Sequence, residues 1–364
     1  MAELLCVVGA RPNFMKMAPI LEALRAYPAL RPLLIHTGQH YDEAMSRVFF
    51  TELGLPTPDR NLEIGSGAHA RQTARIMEAF DALLDERRNA RLVLVVGDVN
   101  STMACALVAA KRNVKVAHVE AGLRSRDRAM PEEINRLVTD VVSDLLFATS
   151  SDAVENLVAE GIARDKIHLV GNTMIDTVQR HLAAARARNP AGRFGLTRGG
   201  YGVVTLHRPS NVDDPAGLRG ILDALRAVGT RLPLLFPVHP RTRERIAGIG
   251  FIAPAALVLC EPLGYLDFLG LMDSARLVIT DSGGIQEETT ALGVPCMTLR
   301  ANTERPITIT EGTNQLLGDD PAAILPAVDA LLRDGPGPPR RPALWDGRAG
   351  ERISEVLARK LGVG

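Results

Sequence analysis

Short apolar runs recur along the chain, each closing on a glycine or a polar residue and each followed by a helical pattern. In the first half they are Leu4–Val8, Leu33–Thr37, Leu92–Val96, Val114–Val119, Leu145–Ala148 and Ile167–Val170. The second half carries Val203–Leu206, Leu234–Val238, Ala256–Cys260, Leu277–Thr280 and Pro295–Leu299. Runs that are apolar throughout, rather than at alternate positions, suit a parallel sheet covered on both faces. Two such series predict an α/β protein of two doubly wound, Rossmann-like domains. The boundary is expected near Gly171-Asn172-Thr173, giving domains over 1–172 and 173–348. The Arg-, Gly- and Pro-rich stretch 186–202 reads as a loop before the second domain's first strand, and Gly335 to Pro342 as a linker. A helical tail follows, roughly Glu351 to Leu361, and residues 349–364 are expected to pack back on the first domain.

Composition narrows the function. At 364 residues, 46% apolar and 23% charged, the chain has the balance of a soluble globular enzyme of two domains. Its 42 basic and 42 acidic residues cancel, which argues against a nucleic-acid or anionic-membrane partner. Cys6, Cys105, Cys260 and Cys296 lie in apolar stretches without Cys-x-x-Cys spacing, so they read as small buried hydrophobes in a reducing compartment. No run approaches a membrane span, and Leu4–Val8 is too short for a secretory signal, so a cytoplasmic location is expected. An aromatic content of 4% disfavours a carbohydrate-binding module built on stacking platforms.

Ligands of open α/β sheets bind beyond the carboxyl ends of the strands, so the residues there matter most. Gly9-Ala10-Arg11-Pro12-Asn13-Phe14-Met15-Lys16 is neither a Walker A loop nor a Gly-x-Gly-x-x-Gly fingerprint, which removes the main support for ATP or NAD. Arg11 and Lys16 flank a turn entering a helix, as anion ligands or as two surface cations. Asp98 ends one apolar run, either as a partly desolvated acid or as the cap of a helix starting near Ser101. Glu120 ends the next, with Arg124 a candidate partner for its charge. Pro131 opens a helix on which Glu132 and Arg136 share a face, a surface pair if taken alone. Together Asp98, Glu120, Glu132 and Arg136 suit proton transfer beside an anion. In the second half His207 and His239 stand at two strand ends, neither with a second histidine at metal-ligand spacing, so no metal is expected. Ser282-Gly283-Gly284 leads from a buried strand into a helix, an arrangement that favours a diphosphate, and Glu288 lies about one turn on, within reach of ribose hydroxyls.

These segments in this order resemble the UDP-N-acetylglucosamine 2-epimerases, in particular the non-hydrolysing branch. The resemblance runs from Gly9-Ala10-Arg11-Pro12 and Thr37-Gly38-Gln39-His40 through Gly97-Asp98, His118 to Arg124 and Pro131 to Arg136. It closes with His207-Arg208, Asp281 to Glu288 and Thr303-Glu304-Arg305-Pro306. It implies a glycosyltransferase-B arrangement with the active site in the interdomain cleft, a UDP-sugar substrate, a homodimer and no cofactor. Asp98, Glu120 and Glu132 would then form the acid/base set, and Arg136 and His207 would steady the departing diphosphate. Arg11, Lys16, His239, Ser282, Gly283, Gly284 and Glu288 would bind UDP. The run Gln39-His40-Tyr41-Asp42-Glu43-Ala44-Met45 departs from the Gln-His-Arg-(Gln/Glu)-Met of an allosteric substrate site in many bacterial members. It also looks like members acting on modified sugars such as diacetamido uronic acids. Two rivals share the fold: a hydrolysing epimerase releasing N-acetylmannosamine and UDP, and a glycosyltransferase, which would need an acceptor surface that the neutral charge does not suggest. A non-catalytic sensor would be expected to lack acids at 98, 120 and 132.

Overall fold

The computed structural model describes residues 2–39, 54–338 and 340–363, Arg11 by its backbone alone. Positions 40–45 of the run discussed above lie outside the described residues. The chain divides into two compact units, residues 1–180 with 343–364, and residues 181–342.

Unit 1 is built on seven strands: β1 (Ala2–Val8), β2 (Leu30–His36), β3 (Arg60–Asn61), β4 (Ala90–Val96), β5 (Lys115–Ala121), β6 (Leu145–Ala148) and β7 (Ile167–Leu169). They pair in the order β3-β2-β1-β4-β5-β6-β7, all parallel. Its helices are α1 (Arg11–Ala23), α2 (His69–Glu86), α3 (Asn100–Lys111), α4 (Pro131–Val142), α5 (Ser151–Ala159) and the first half of α6 (Thr173–Ala187). The chain winds outward from β1 through β2 to β3, then returns to place β4 on the other side of β1. The ends of β1 and β4 therefore diverge into a crevice, where such sheets bind ligands.

Unit 2 repeats the plan with β8 (Gly202–Thr205), β9 (Leu234–Pro237), β10 (Leu257–Cys260), β11 (Leu277–Thr280), β12 (Cys296–Thr298) and β13 (Asn314–Leu316). The order is β10-β9-β8-β11-β12-β13, so its reversal falls between β8 and β11. The main helices are α7 (Pro215–Gly229), α8 (Pro240–Gly248), α9 (Tyr265–Ser274), α10 (Gly283–Leu292) and α11 (Ile324–Asp334). The core beneath α7 and α11 joins Leu218, Ile221, Leu222 and Leu225 to Phe236, Ile279 and Val328. Burying each such side chain contributes about 1.5–3 kcal/mol.

The division between the units falls inside α6, after Arg180, not at the loop near residue 172. The reason is continuity of the helix. Its first turns belong to unit 1, where Ile175 and Val178 are buried and the Thr177 hydroxyl donates to the Met15 carbonyl at 2.6 Å. Asp176 accepts from the backbone N–H groups of Ala349 and Gly350, at 3.1 and 2.7 Å, and so caps the returning helix α12 (Ala349–Leu361). Trp345 is buried ahead of α12 and donates to the Thr149 carbonyl at 3.0 Å. Gly350 is required by closeness: a Cβ there would stand 2.7 Å from the Pro19 carbonyl oxygen of α1. Among the described residues all four cysteines are free thiols, and no helix is long and apolar enough to cross a membrane.

Burial pushes the Asp176 carboxyl up to about 6, against the pull of the two backbone donors. A carboxyl raised in this way contributes stability that is full below its unfolded value and lost as pH rises through the folded one. The difference in melting temperature between wild type and Asp176→Asn, which cannot ionise, should therefore move against the wild type as pH rises from about 4 to about 7. A difference that stays flat over that window would remove the cost assigned to the buried charge.

Candidate active site

At the switch point of unit 1 the turn after β1 is organised by Asn13. Its Oδ1 accepts from the N–H groups of Gly9 and Ala10, and its Nδ2 donates to the Val96 carbonyl at 3.0 Å, tying the ends of β1 and β4 together. Gly97 follows with φ +71°, and a Cβ there would lie 3.2 Å from Asn13 Nδ2 and 3.4 Å from Lys16 Nζ. The Lys16 ammonium, buried on α1, forms an ion pair with the Glu120 carboxylate. Glu120 is 4% exposed and itself has φ +71°, at the point where β5 shifts register against β6. A non-glycine residue held there costs on the order of 1–3 kcal/mol, which the surroundings must supply.

Glu120 thus takes Lys16 rather than Arg124 as its partner. Arg124, beyond the Gly122 turn, is occupied by Asp140 at 2.7 Å and Glu160 at 2.6 Å. The pairing on α4 also differs from the simple four-residue spacing. Arg136 is 2% exposed and binds Glu133, with Nη2 to Oε2 at 2.6 Å, because Glu133 is the acid turned to the buried side. Glu132 is half-buried and forms no hydrogen bond or ion pair among the described residues. The second donor of Arg136, Nη1, reaches Asp98 Oδ2 at 2.5 Å. Asp98 is therefore not a helix cap. Val99 occupies that position in α3, and the Asp98 carbonyl accepts from Asn135 Nδ2 at 2.8 Å. Burial alone would push the Glu133 carboxyl up. The Ser125 N–H, the Arg136 guanidinium and the Arg126 N–H outweigh it and hold it below the ordinary carboxylate value.

In unit 2 the organising group is Asp281, at the end of β11. It is buried and accepts from the N–H groups of His207 and Arg208, from Asn211 Nδ2 at 3.1 Å and from His207 Nδ1 at 2.9 Å. Burial raises its pKa, but the His207 bond and charge, the Arg208 N–H and the Asn211 amide together hold it below the usual value. The loop after β8 is thereby pinned to β11, with the His207 side chain 54% exposed. Ser282 is the cap residue of α10, but its side chain makes no capping bond to the helix. Gly283 has no space for a side chain, since a Cβ would stand 2.5 Å from Glu304 Oε1 and 2.6 Å from Arg305 Nη1. Arg305 pairs with Glu287 at 2.8 Å and Arg300 with Glu304 at 2.7 Å, so this helix N-terminus rests on a buried ionic lattice. Glu288 is buried on α10, and His239 is exposed at the N-cap of α8.

The expected residues thus form two groups. Lys16, Asp98, Glu120, Glu132 and Arg136 stand on unit 1, and His207, His239, Ser282, Gly283, Gly284 and Glu288 on unit 2. The Arg11 side chain is not among the described ones. Sequence reasoning missed Asn13, Glu133 and Asp281. The available signal was an Asn three residues into a helix after a strand, an acid three residues before Arg136, and an acid between a buried strand and Ser282.

Two Rossmann-like α/β units of parallel strands and alternating helices, each with its polar groups at a switch point, define the glycosyltransferase-B class of fold. A family model described as UDP-N-acetylglucosamine 2-epimerase matches residues 22–358. The chain belongs to the UDP-N-acetylglucosamine 2-epimerase family. It is 42% identical to the UDP-N-acetylglucosamine 2-epimerase of Methanocaldococcus jannaschii, with 98% of each chain covered. It is also 41% identical to the UDP-2,3-diacetamido-2,3-dideoxy-D-glucuronate 2-epimerase of Pseudomonas aeruginosa, covering 98% of this chain and 99% of that one. The crystal structure of the Methanocaldococcus jannaschii enzyme in complex with UDP-GlcNAc and UDP superimposes with a TM-score of 0.89 at 40% identity, covering 98% of this chain and 99% of that one.

Removing the Asp281 carboxylate leaves two part-buried backbone donors and one N–H of the Asn211 amide without an acceptor. Asp281→Ala should cost about 3 kcal/mol of unit 2 stability in urea titration, and Asp281→Asn less, because its oxygen still accepts. Loss of under about 1 kcal/mol for the alanine variant would show that the loop finds other acceptors.

Proposed function

We propose that this protein catalyses non-hydrolysing C2 epimerisation of a UDP-2-acetamido sugar, UDP-N-acetylglucosamine to UDP-N-acetylmannosamine or a closely related pair. The observation that carries the reading is the set of acids at one switch point: Glu120 beside Lys16, Asp98 beside Arg136, and Glu132 on the same helix as Arg136. The C2 proton of such a sugar is not acidic, so direct deprotonation is closed. Breaking the C1–O bond instead sends the electron pair out with UDP. Loss of the C2 proton to a carboxylate forms the C1–C2 double bond of a 2-acetamido glycal. UDP then adds back to C1 while a second carboxyl group delivers a proton to the opposite face of C2. An acid and a base on opposite faces require more than one carboxyl group, and Asp98, Glu120 and Glu132 supply them.

Unit 2 holds UDP, with the diphosphate at the N-terminus of α10 through Ser282, Gly283 and Gly284 and the ribose at Glu288. The half-exposed His207 steadies the leaving diphosphate. Lys16, Arg11 and His239 complete the anion-binding set. Arg136 has a different task from direct contact with diphosphate. Four of its five N–H groups go to Asp98, Glu133 and Ser125, so it orients Asp98. A homodimer working in the cytoplasm, without a cofactor, belongs to the same reading. The Pseudomonas aeruginosa relative favours a second substrate, a UDP-2,3-diacetamido uronic acid, on the same chemistry.

Proton NMR in deuterated water tests the proposal. A mixture of gluco and manno UDP-sugars with deuterium at C2 supports it, whereas free N-acetylmannosamine with UDP selects hydrolysis. Turnover confined to the diacetamido uronate selects the second substrate, and inertness of both removes the epimerase assignment. Glu120→Gln and Glu132→Gln should each lower kcat by about 100-fold or more, with UDP affinity by calorimetry changed by less than about threefold. Loss of UDP binding instead would make these acids ligands rather than proton carriers.

A further inference from the structure

His118 and Asp140 are both fully buried in unit 1, and the chemistry outlined above makes no use of either. His118 lies on β5 two residues before Glu120, and Asp140 lies on α4. The His118 ring meets two acceptors. Its Nε2 is 2.9 Å from the Gly97 carbonyl oxygen and its Nδ1 is 2.6 Å from Asp140 Oδ1. A carbonyl oxygen only accepts, so Nε2 carries a hydrogen. Asp140 also accepts from the Gly122 N–H at 3.1 Å and from Arg124 Nη2 at 2.7 Å. Burial pushes its carboxyl up, the hydrogen bonds and charges around it hold it below the ordinary value, and the ion pair with Arg124 marks it as an acceptor independently of any charge on His118. Nδ1 then carries a hydrogen as well, leaving the ring no lone pair with which to act as a base.

What the pair touches is the backbone on both sides of the acids. Gly97 immediately precedes Asp98, and Gly122 follows Glu120 by two residues. The β4–β5 register ends at Val96 opposite Val119, and beyond it Gly97 and Glu120 both adopt φ +71°. Past the Gly97 N–H bond to the Val119 carbonyl at 3.1 Å, the imidazole and the carboxylate connect the two strand ends. The chain of charges continues through Arg124 to Glu160 at the surface, two cations against two anions.

We propose that His118 and Asp140 are positioning residues: a doubly protonated imidazole tied to Gly97 and a carboxylate tied to Gly122 hold Asp98 and Glu120 in the relation that proton transfer at C2 needs. The proposal rests on reading those two acids as part of the acid/base set.

Nitrogen NMR of histidine-labelled protein tests the tie directly. The His118 Nε2 should carry a hydrogen, and an Nε2 without one overturns the tie whatever the substrate is. Kinetics test the consequence, using whichever UDP-sugar the wild type epimerises. His118→Ala should lower kcat by about 10- to 100-fold while KM and UDP affinity stay within about threefold. It should also release more free glycal and UDP per epimer formed, which a loss of folded protein would not do. Asp140→Asn leaves a neutral ring that still donates to Gly97, so it should retain more activity than His118→Ala and leak less glycal. It also serves if the alanine variant does not fold. An unchanged kcat in folded His118→Ala, or an Asp140→Asn variant as impaired as His118→Ala, overturns the proposal. A wild type inert towards every UDP-2-acetamido sugar overturns the functional reading instead, a result the NMR measurement does not depend on.

Discussion

Lys16, Glu120, Arg124, Glu133, Arg136 and Asp140 in unit 1 are shut away from bulk water, so each has to be neutralised by a neighbour in the fold. Lys16 answers Glu120, Arg136 answers both Asp98 and Glu133, and Arg124 answers Asp140 and Glu160. Removing one member of such a pair typically costs about 3–5 kcal/mol, because the charge left behind has no water to turn to. This constraint decides more than stability. It dictates which way each carboxylate faces, and it makes α1, α4 and the strand ends a single ionic assembly. An acid so held is already oriented before any ligand arrives, and little reorganisation remains for the reaction itself.

The two units solve the problem of binding polar ligands with different materials. Unit 1 places side-chain charges around its switch point. Unit 2 gathers backbone N–H groups onto Asp281 and opens the first turn of α10 with two glycines, over the lattice of Glu287, Arg300, Glu304 and Arg305. Sheet topology brings both about. In each unit the strand order reverses beside the first strand, which leaves the loops after β1 and β4, and after β8 and β11, parted from each other.

Much of this could be read from the chain before any coordinates. The apolar runs marked eleven of the thirteen strands among the described residues, because buried parallel strands are apolar on both faces. The other two, Arg60–Asn61 and Asn314–Leu316, lie at sheet edges, are two and three residues long, and carry polar residues, so no hydrophobic pattern announces them. The acids at strand ends were legible from position alone, but their partners were not. Glu132 and Glu133 differ in sequence only by one step, yet a helix turns them by about 100° relative to each other, and only Glu133 meets Arg136. Likewise nothing local predicts that Glu120 will turn to Lys16, a hundred residues away, when Arg124 is closer along the chain. The left-handed backbone at Glu120 makes that choice, and it is a tertiary fact.

The return of α12 to unit 1 sets an order of assembly during synthesis. Asp176 has no backbone donors to cap, and α1 lacks α12 beside Pro19, until residues 345–361 have left the ribosome. By then all of unit 2 has been translated, with a sheet and core that draw on residues 181–342 alone. The segment made first is therefore completed last. Unit 2 has the whole of its own sequence available for folding while unit 1 still lacks its final helix, and a released chain truncated before residue 345 would carry a complete second unit behind an unfinished first.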